Sequence, residues 1–253
     1  MLTTLPIERV ADVRCGVGES PFWHVAEQAW YWVGIPDKKI WRYRPESQID
    51  VTKQSMPSQA SLEHWDTEEM IGCLALAADG SFIAGMESGI FQLHLGDAHQ
   101  VQAKRLAAPA ELGQGIRFND GRCDRQGRFW SGTMFMDMAQ AKAIGNLYRY
   151  NAQQGISTPF VSGLLVQNGL AWSADGRTMY LSDSHPNGQM VWAFDYDCEV
   201  GVPYNQRVFV NMKSLESRPD GAAVDVDGCY WICGNDAGRI LRFTPDGKLD
   251  RQI

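Results

Sequence analysis

The chain has 253 residues, 44% hydrophobic and 21% charged, with 25 glycines, 9 tryptophans and a formal charge of −7. This is ordinary globular composition, and length alone permits one large domain or two small ones. An acidic balance without any Lys/Arg cluster argues against nucleic acid as a partner, and no run approaches the roughly 18 apolar residues of a membrane span.

The opening MLTTLPIERVADVRCG lacks a basic start followed by an apolar stretch, so no secretory signal is expected there. Six cysteines are dispersed along the chain; Cys229 and Cys233 have no second pair or nearby histidine to complete a zinc pattern. Free thiols, and with them a reducing cytoplasmic location, are the expectation. Within Pro6–Cys15, Ile7, Val10 and Val13 alternate with polar residues and predict a strand.

A longer pattern then recurs. Its first copy is Glu19-Ser20-Pro21-Phe22-Trp23-His24-Val25-Ala26-Glu27, followed by the strand-like Ala29–Val33 and by Lys39–Tyr43. The second is Gly72-Cys73-Leu74-Ala75-Leu76-Ala77-Ala78-Asp79-Gly80 before Ser81–Ala84. The third runs from Asn119-Asp120-Gly121 to Gly127, then Arg128–Ser131 and Asn146–Tyr150, with 137–144 able to form a helical turn or two. The fourth is Asn168-Gly169-Leu170 to Gly176, then Thr178–Ser182 and Gln189–Phe194. The fifth is Asp220-Gly221-Ala222 to Gly228, then Cys229–Ile232 and Arg239–Phe243.

Each copy reads as a short strand, a turn that often carries Asp-Gly and a second apolar strand, and most add a third ending in an aromatic. The copies begin at 19, 72, 119, 168 and 220, a period of about 50 residues that fits one propeller blade per copy. The expected fold is all-β, a single domain over 1–253 built as a six-bladed propeller with its last blade incomplete. Pro6–Cys15 would supply one strand of that closing blade, and the ring would otherwise close imperfectly or by pairing with another chain.

The alignment places Glu19, Gly72, Asn119, Asn168 and Asp220 at one register. Equivalent positions of a propeller lie at one height around the axis, so four oxygen-bearing side chains would converge at a channel mouth. Carboxylates gathered there repel unless a cation joins them, and carboxylate plus amide oxygens suit Ca²⁺ first, with Zn²⁺, Mn²⁺ or Mg²⁺ also possible. Asn-Gly and Asp-Gly are also turn formers and could sit there for backbone reasons alone; Glu19-Ser20-Pro21 is not such a pair.

Gly18-Glu19-Ser20-Pro21, Arg117-Phe118-Asn119-Asp120-Gly121, Gly132-Thr133-Met134, Asn168-Gly169-Leu170 and Arg218-Pro219-Asp220-Gly221 together resemble the SMP-30/gluconolactonase/regucalcin family. The resemblance implies a six-bladed propeller with one divalent cation held by Glu19, Asn168 and Asp220, and Asp220 also acting as general base. It places Arg117 and Asn119 on substrate hydroxyls, and Asp137 as a further acidic substrate contact. Two features depart from the pattern: family members extend about 40 residues further, the length of most of a blade, and Gly34 stands where an aspartate is common.

The activity this implies is metal-dependent opening of a sugar lactone. Two alternatives remain at this point: a phosphotriester or aryl-ester hydrolase, and a non-catalytic calcium-binding propeller. The five histidines (His24, His64, His94, His99, His185) have no metal-ligand spacing, and neither a Gly-x-Ser-x-Gly elbow nor a phosphate or dinucleotide loop is present.

Overall fold

The computed structural model describes residues 7–46 and 60–253. Apolar alternation over short runs, broken by tight turns, gives antiparallel strands throughout. They are β1 (Gly18–His24), β2 (Ala29–Gly34), β3 (Lys39–Arg44) and β4 (Ser61–Asp66); β5 (Ile71–Leu76), β6 (Phe82–Met86), β7 (Ile90–Leu95) and β8 (Val101–Ala107). Next come β9 (Ile116–Cys123), β10 (Phe129–Phe135), β11 (Gly145–Asn151), β12 (Gly155–Ile156) and β13 (Val161–Leu164). The chain ends with β14 (Gln167–Trp172), β15 (Thr178–Asp183), β16 (Met190–Asp197) and β17 (Val202–Asn211), then β18 (Arg218–Val224), β19 (Tyr230–Asn235), β20 (Arg239–Phe243) and β21 (Leu249–Gln252). The helical expectation for 137–144 reduces to one 3₁₀ turn, Met138–Gln140.

The strands form five meandering sheets in chain order, each a blade of a β-propeller; the third carries five strands and the others four. The expectation of six blades is therefore corrected to five among the described residues. The reason lies in residues 7–15, which make no backbone ladder. Their alternation still turns Ala11, Val13 and Cys15 inward and Asp12 and Arg14 outward. Val10, Ala11 and Val13 share an apolar cavity with Trp30, Trp32 and Tyr43 of the first blade rather than pairing with a strand. Pro6 lies outside the described residues.

Apolar faces of adjacent blades interlock in four clusters. Tyr31, Ile40, Ile71 and Phe82 join the first two blades, and Cys73, Phe118, Phe129 and Tyr148 the next pair. Trp130, Leu147, Trp172 and Leu181 join the third and fourth; Tyr180, Val191, Tyr230 and Phe243 join the last two. Among the described residues no such cluster links the fifth blade to the first, and Trp30 and Ile240 stay 45% and 40% exposed. The first strand of each blade lines the axis, and β1, β5, β9, β14 and β18 follow one another around it. All six cysteines are free. No helix among the described residues is long and apolar enough to cross a membrane.

Candidate metal centre

Every axial strand breaks register with its neighbour at the position the alignment singles out. The shift falls between Glu19 and Phe22, Ile71 and Cys73, Asn168 and Ala171, and Pro219 and Ala222. On the third blade it falls opposite Ser131–Thr133, at Asn119–Asp120. A bulge bends the strand and re-aims the side chain at that point. Asn168-Gly169 and Asp220-Gly221 thus lie within strands, so the turn reading of these pairs does not hold. Ser20 takes a left-handed φ of 56° directly after Glu19. Its Oγ accepts from Leu74 N (3.0 Å) and donates to Leu74 O (3.2 Å), fastening the bulge of β1 to the next blade.

Gly72 contributes no ligand for a steric reason. A Cβ there would stand 2.5 Å from Phe118 O and 2.6 Å from Asn119 O, so a side chain would push β5 off β9. At Gly34, the aspartate missing from the family pattern has a counterpart: the carboxylate of Asp37 fills the space beside that glycine and accepts from Gly16 N at 2.8 Å.

Glu19 and Asp220 meet across the seam between the first and last blades; Glu19 Oε2 lies 3.7 Å from where a Cβ on Gly221 would stand. Burial, then the charges of Asp220 and Asp120, holds the Glu19 carboxyl well above the usual range, against the opposing pull of Arg117. Burial and then Asp120 raise Asp220 to about 6, offset in part by Arg218 and by hydrogen bonding from Glu19 and Asn235. Arg218 is itself forked onto Asp236 through Nε (2.5 Å) and Nη2 (3.0 Å). Two half-buried carboxylates this close cannot both ionise cheaply without a cation.

Asn168, on the neighbouring axial strand, is 4% exposed. Its Oδ1 is buried with no hydrogen-bond partner. An orphaned buried oxygen of this kind costs about 1–3 kcal/mol, and it stands at the same register as the two carboxylates. Among the described residues no three His, Cys, Asp or Glu side chains could hold an ion by themselves. The donor set fits a cation only with the Asn168 amide as its third member, and two carboxylates plus an amide oxygen are ligands for a hard divalent ion.

Asn119 is buried, its Nδ2 donating to Gln167 O (2.7 Å) and its Oδ1 accepting from Arg117 Nη1 (2.8 Å). Arg117 also donates to Phe118 O at 2.8 Å; burial lowers its pKa and the Glu19 charge counters this. Asp137 is exposed, and its carboxylate caps the 3₁₀ turn by accepting from Ala139 N (3.2 Å) and Gln140 Nε2 (2.7 Å). Its polar contacts lie within its own loop rather than with Glu19, Asn168 or Asp220.

Sequence reasoning passed over Asp120, whose Oδ2 accepts from Leu170 N at 3.0 Å, and whose pKa burial raises. Counting one polar residue per blade left it in the shadow of Asn119. It also passed over Tyr230, which looked like an apolar strand residue but donates its hydroxyl to Gly169 O at 2.7 Å.

Comparison with known proteins bears on this arrangement. The family described as "SMP-30/Gluconolactonase/LRE-like region" matches residues 17–253. A 6-deoxy-6-sulfogluconolactonase of Pseudomonas putida is 35% identical over 237 residues, which is 94% of this chain and 75% of the relative. Regucalcin of Danio rerio is 32% identical over 247 residues, 96% of this chain and 76% of the relative. Among solved structures, a luciferin-regenerating enzyme superposes with a TM-score of 0.82 at 25% identity, over 94% of this chain and 76% of the other. A gluconolactonase from Xanthomonas campestris superposes with a TM-score of 0.70 at 19% identity, over 93% and 75%, a likeness of fold.

Proposed function

The chain belongs to the SMP-30/gluconolactonase/LRE-like family, and from that premise we propose that it hydrolyses a sugar lactone at the axial site formed by Glu19, Asn168 and Asp220. The observation that carries this reading is the unpartnered Oδ1 of Asn168, at the same axial register as two carboxylates that resist joint ionisation. These three residues would hold one divalent ion, Ca²⁺ first among candidates. When bound, the ion would polarise the lactone carbonyl and stabilise the negative charge developing on its oxygen.

The chain's own residues supply the rest. Asp220 accepts a proton from the attacking water as the new bond to the carbonyl carbon forms. It returns the proton to the ring oxygen as the ring C–O bond breaks, leaving the open sugar acid. The ionised form of Asp220, which a bound cation would favour, is the form able to accept a proton. Arg117, held by Phe118 O and the amide of Asn119, keeps further N–H groups for substrate hydroxyls. Asn119 is fixed by Gln167 O and so holds that guanidinium in place. Asp137 would turn to substrate only by leaving its cap on the 3₁₀ turn.

The relative active on a sulfonated gluconolactone suggests the substrates to try first: δ-gluconolactone and 6-deoxy-6-sulfogluconolactone. Chelator-treated protein should be inactive on them and regain turnover with Ca²⁺, Zn²⁺, Mn²⁺ or Mg²⁺ supplied singly. Asp220→Asn should lose at least about a hundredfold in kcat. Undiminished turnover by D220N would refute the assignment, and a phosphotriester hydrolysed faster than either lactone would move the substrate class.

A further inference from the structure

The Gly169–Leu170 segment of β14 is gripped from both sides. On one side Asp120 Oδ2, from the third blade, accepts the Leu170 N–H at 3.0 Å. On the other, the Tyr230 hydroxyl, from the second strand of the fifth blade, donates to Gly169 O at 2.7 Å. The segment is bulged, with φ +65° at Gly169, and a Cβ there would stand 2.4 Å from Ser182 Oγ and 2.6 Å from the Tyr230 hydroxyl. The backbone therefore fits one narrow slot, and the two polar groups that close the slot come from different blades. Asn168 is the residue immediately before it, and its Oδ1 is buried without a partner.

From this geometry we infer that Asp120 and Tyr230 are positioning residues that clamp the Gly169–Leu170 bulge, so that Asn168 presents its amide oxygen to a divalent cation. The inference rests on the metal reading above. It assigns work to two groups that the mechanism does not use: a carboxylate enclosed in the ring and a phenol fully buried between blades. Outer groups that orient a ligand commonly change metal affinity by about 10–100-fold when removed.

The test is Mn²⁺ binding to the chelator-treated full chain, followed by the electron paramagnetic resonance of the free ion, with urea unfolding of each metal-free variant alongside. Tyr230→Phe removes only the hydroxyl and should weaken binding about tenfold. Trp231→Phe in the same strand removes the indole donor to Asp225 Oδ2 (2.7 Å), away from the bulge, and should leave affinity within about twofold even though stability falls. Asp120→Ala should weaken binding at least tenfold. Asp120→Asn keeps an oxygen acceptor for Leu170 N–H and should recover most of that loss. Wild-type affinity in Y230F, equal losses in Y230F and W231F, or a D120N as weak as D120A would each overturn the clamp. A wild type that binds Mn²⁺ normally in those cases leaves the metal reading standing. A wild type that binds no divalent ion would overturn the metal reading and the clamp together.

Discussion

Two carboxylates pressed together without a cation make a protein whose stability falls as the medium becomes less acidic. Asp220 titrates at about 6 instead of 3.8 in the metal-free protein, through burial and then the charge of Asp120. An acid raised in this way holds its proton more tightly in the native state than in the unfolded one. Stability is then full below the unfolded value and is lost as pH rises through the folded value. Slightly more than two pKa units correspond to about 3 kcal/mol. Glu19 shares that proton economy, so the effect belongs to the pair rather than to one residue. Asp220→Asn keeps the shape and cannot ionise. Urea unfolding of chelator-treated protein should show wild type losing about 3 kcal/mol relative to D220N between roughly pH 4 and pH 7. At a slope of about 3 kcal/mol per molar, this is a relative midpoint shift of about 1 M. Saturating Ca²⁺ should restore wild type at the upper pH and do little for D220N. A difference that stays flat with pH, or that favours wild type as pH rises, would refute the argument.

Asn168→Ala removes an oxygen that has no partner; relief of that penalty of about 1–3 kcal/mol should leave the metal-free protein at least as stable as wild type. The same variant should forfeit the stabilisation a cation gives wild type, about 2.7 kcal/mol at a hundredfold excess over Kd. Thermal scans with and without Ca²⁺ read both quantities. Gly72→Ala forces a Cβ to within 2.5 Å of Phe118 O and should cost about 1–3 kcal/mol in urea unfolding, lowering activity through displaced Asn119. Asp124 is 5% exposed and takes hydrogen bonds from Gln126 N, Arg128 N, Arg128 Nη1 and the Tyr196 hydroxyl. Asp124→Ala should therefore cost about 3–5 kcal/mol, far from the site, with cation affinity unchanged in the folded fraction.

The repeat was legible because each blade must bury two faces between neighbours. Burial leaves a similar trace in all five copies: an axial residue that is polar in four of them, a small apolar run, a turn that carries glycine in four, and an aromatic on the third strand. The number of blades was not legible in the same way. Alternation at Ile7, Val10 and Val13 predicts a strand, yet Ile7 and Val10 are 81% and 58% exposed and only Val13 of the three turns inward. A strand also needs a partner with free N–H and C=O groups, and no count of side chains reveals whether one is present. Here Ala11, Val13 and Cys15 turn inward against Trp30, Trp32 and Tyr43 without a ladder.

At the site, the repeat register brought Glu19, Asn168 and Asp220 onto axial strands, while the bulge at each of them was not part of that pattern. Asn-Gly and Asp-Gly are chosen for bulges by the same conformational freedom that suits them to turns, so the pair alone cannot say which it forms. Ser20 decides the matter within the first blade: a serine followed by proline takes the left-handed φ that Gly169 takes in the fourth, and it is held there by two hydrogen bonds to Leu74. What recurs around the axis is therefore a strand bent at one height, with the side chain at the bend redirected toward the axis. The partners of the bend in the fourth blade, Asp120 and Tyr230, come from the blades on either side of it. A period of about 50 residues compares each blade only with its own copies. It is blind to contacts between non-equivalent positions, such as those that hold the Gly169–Leu170 segment next to Asn168.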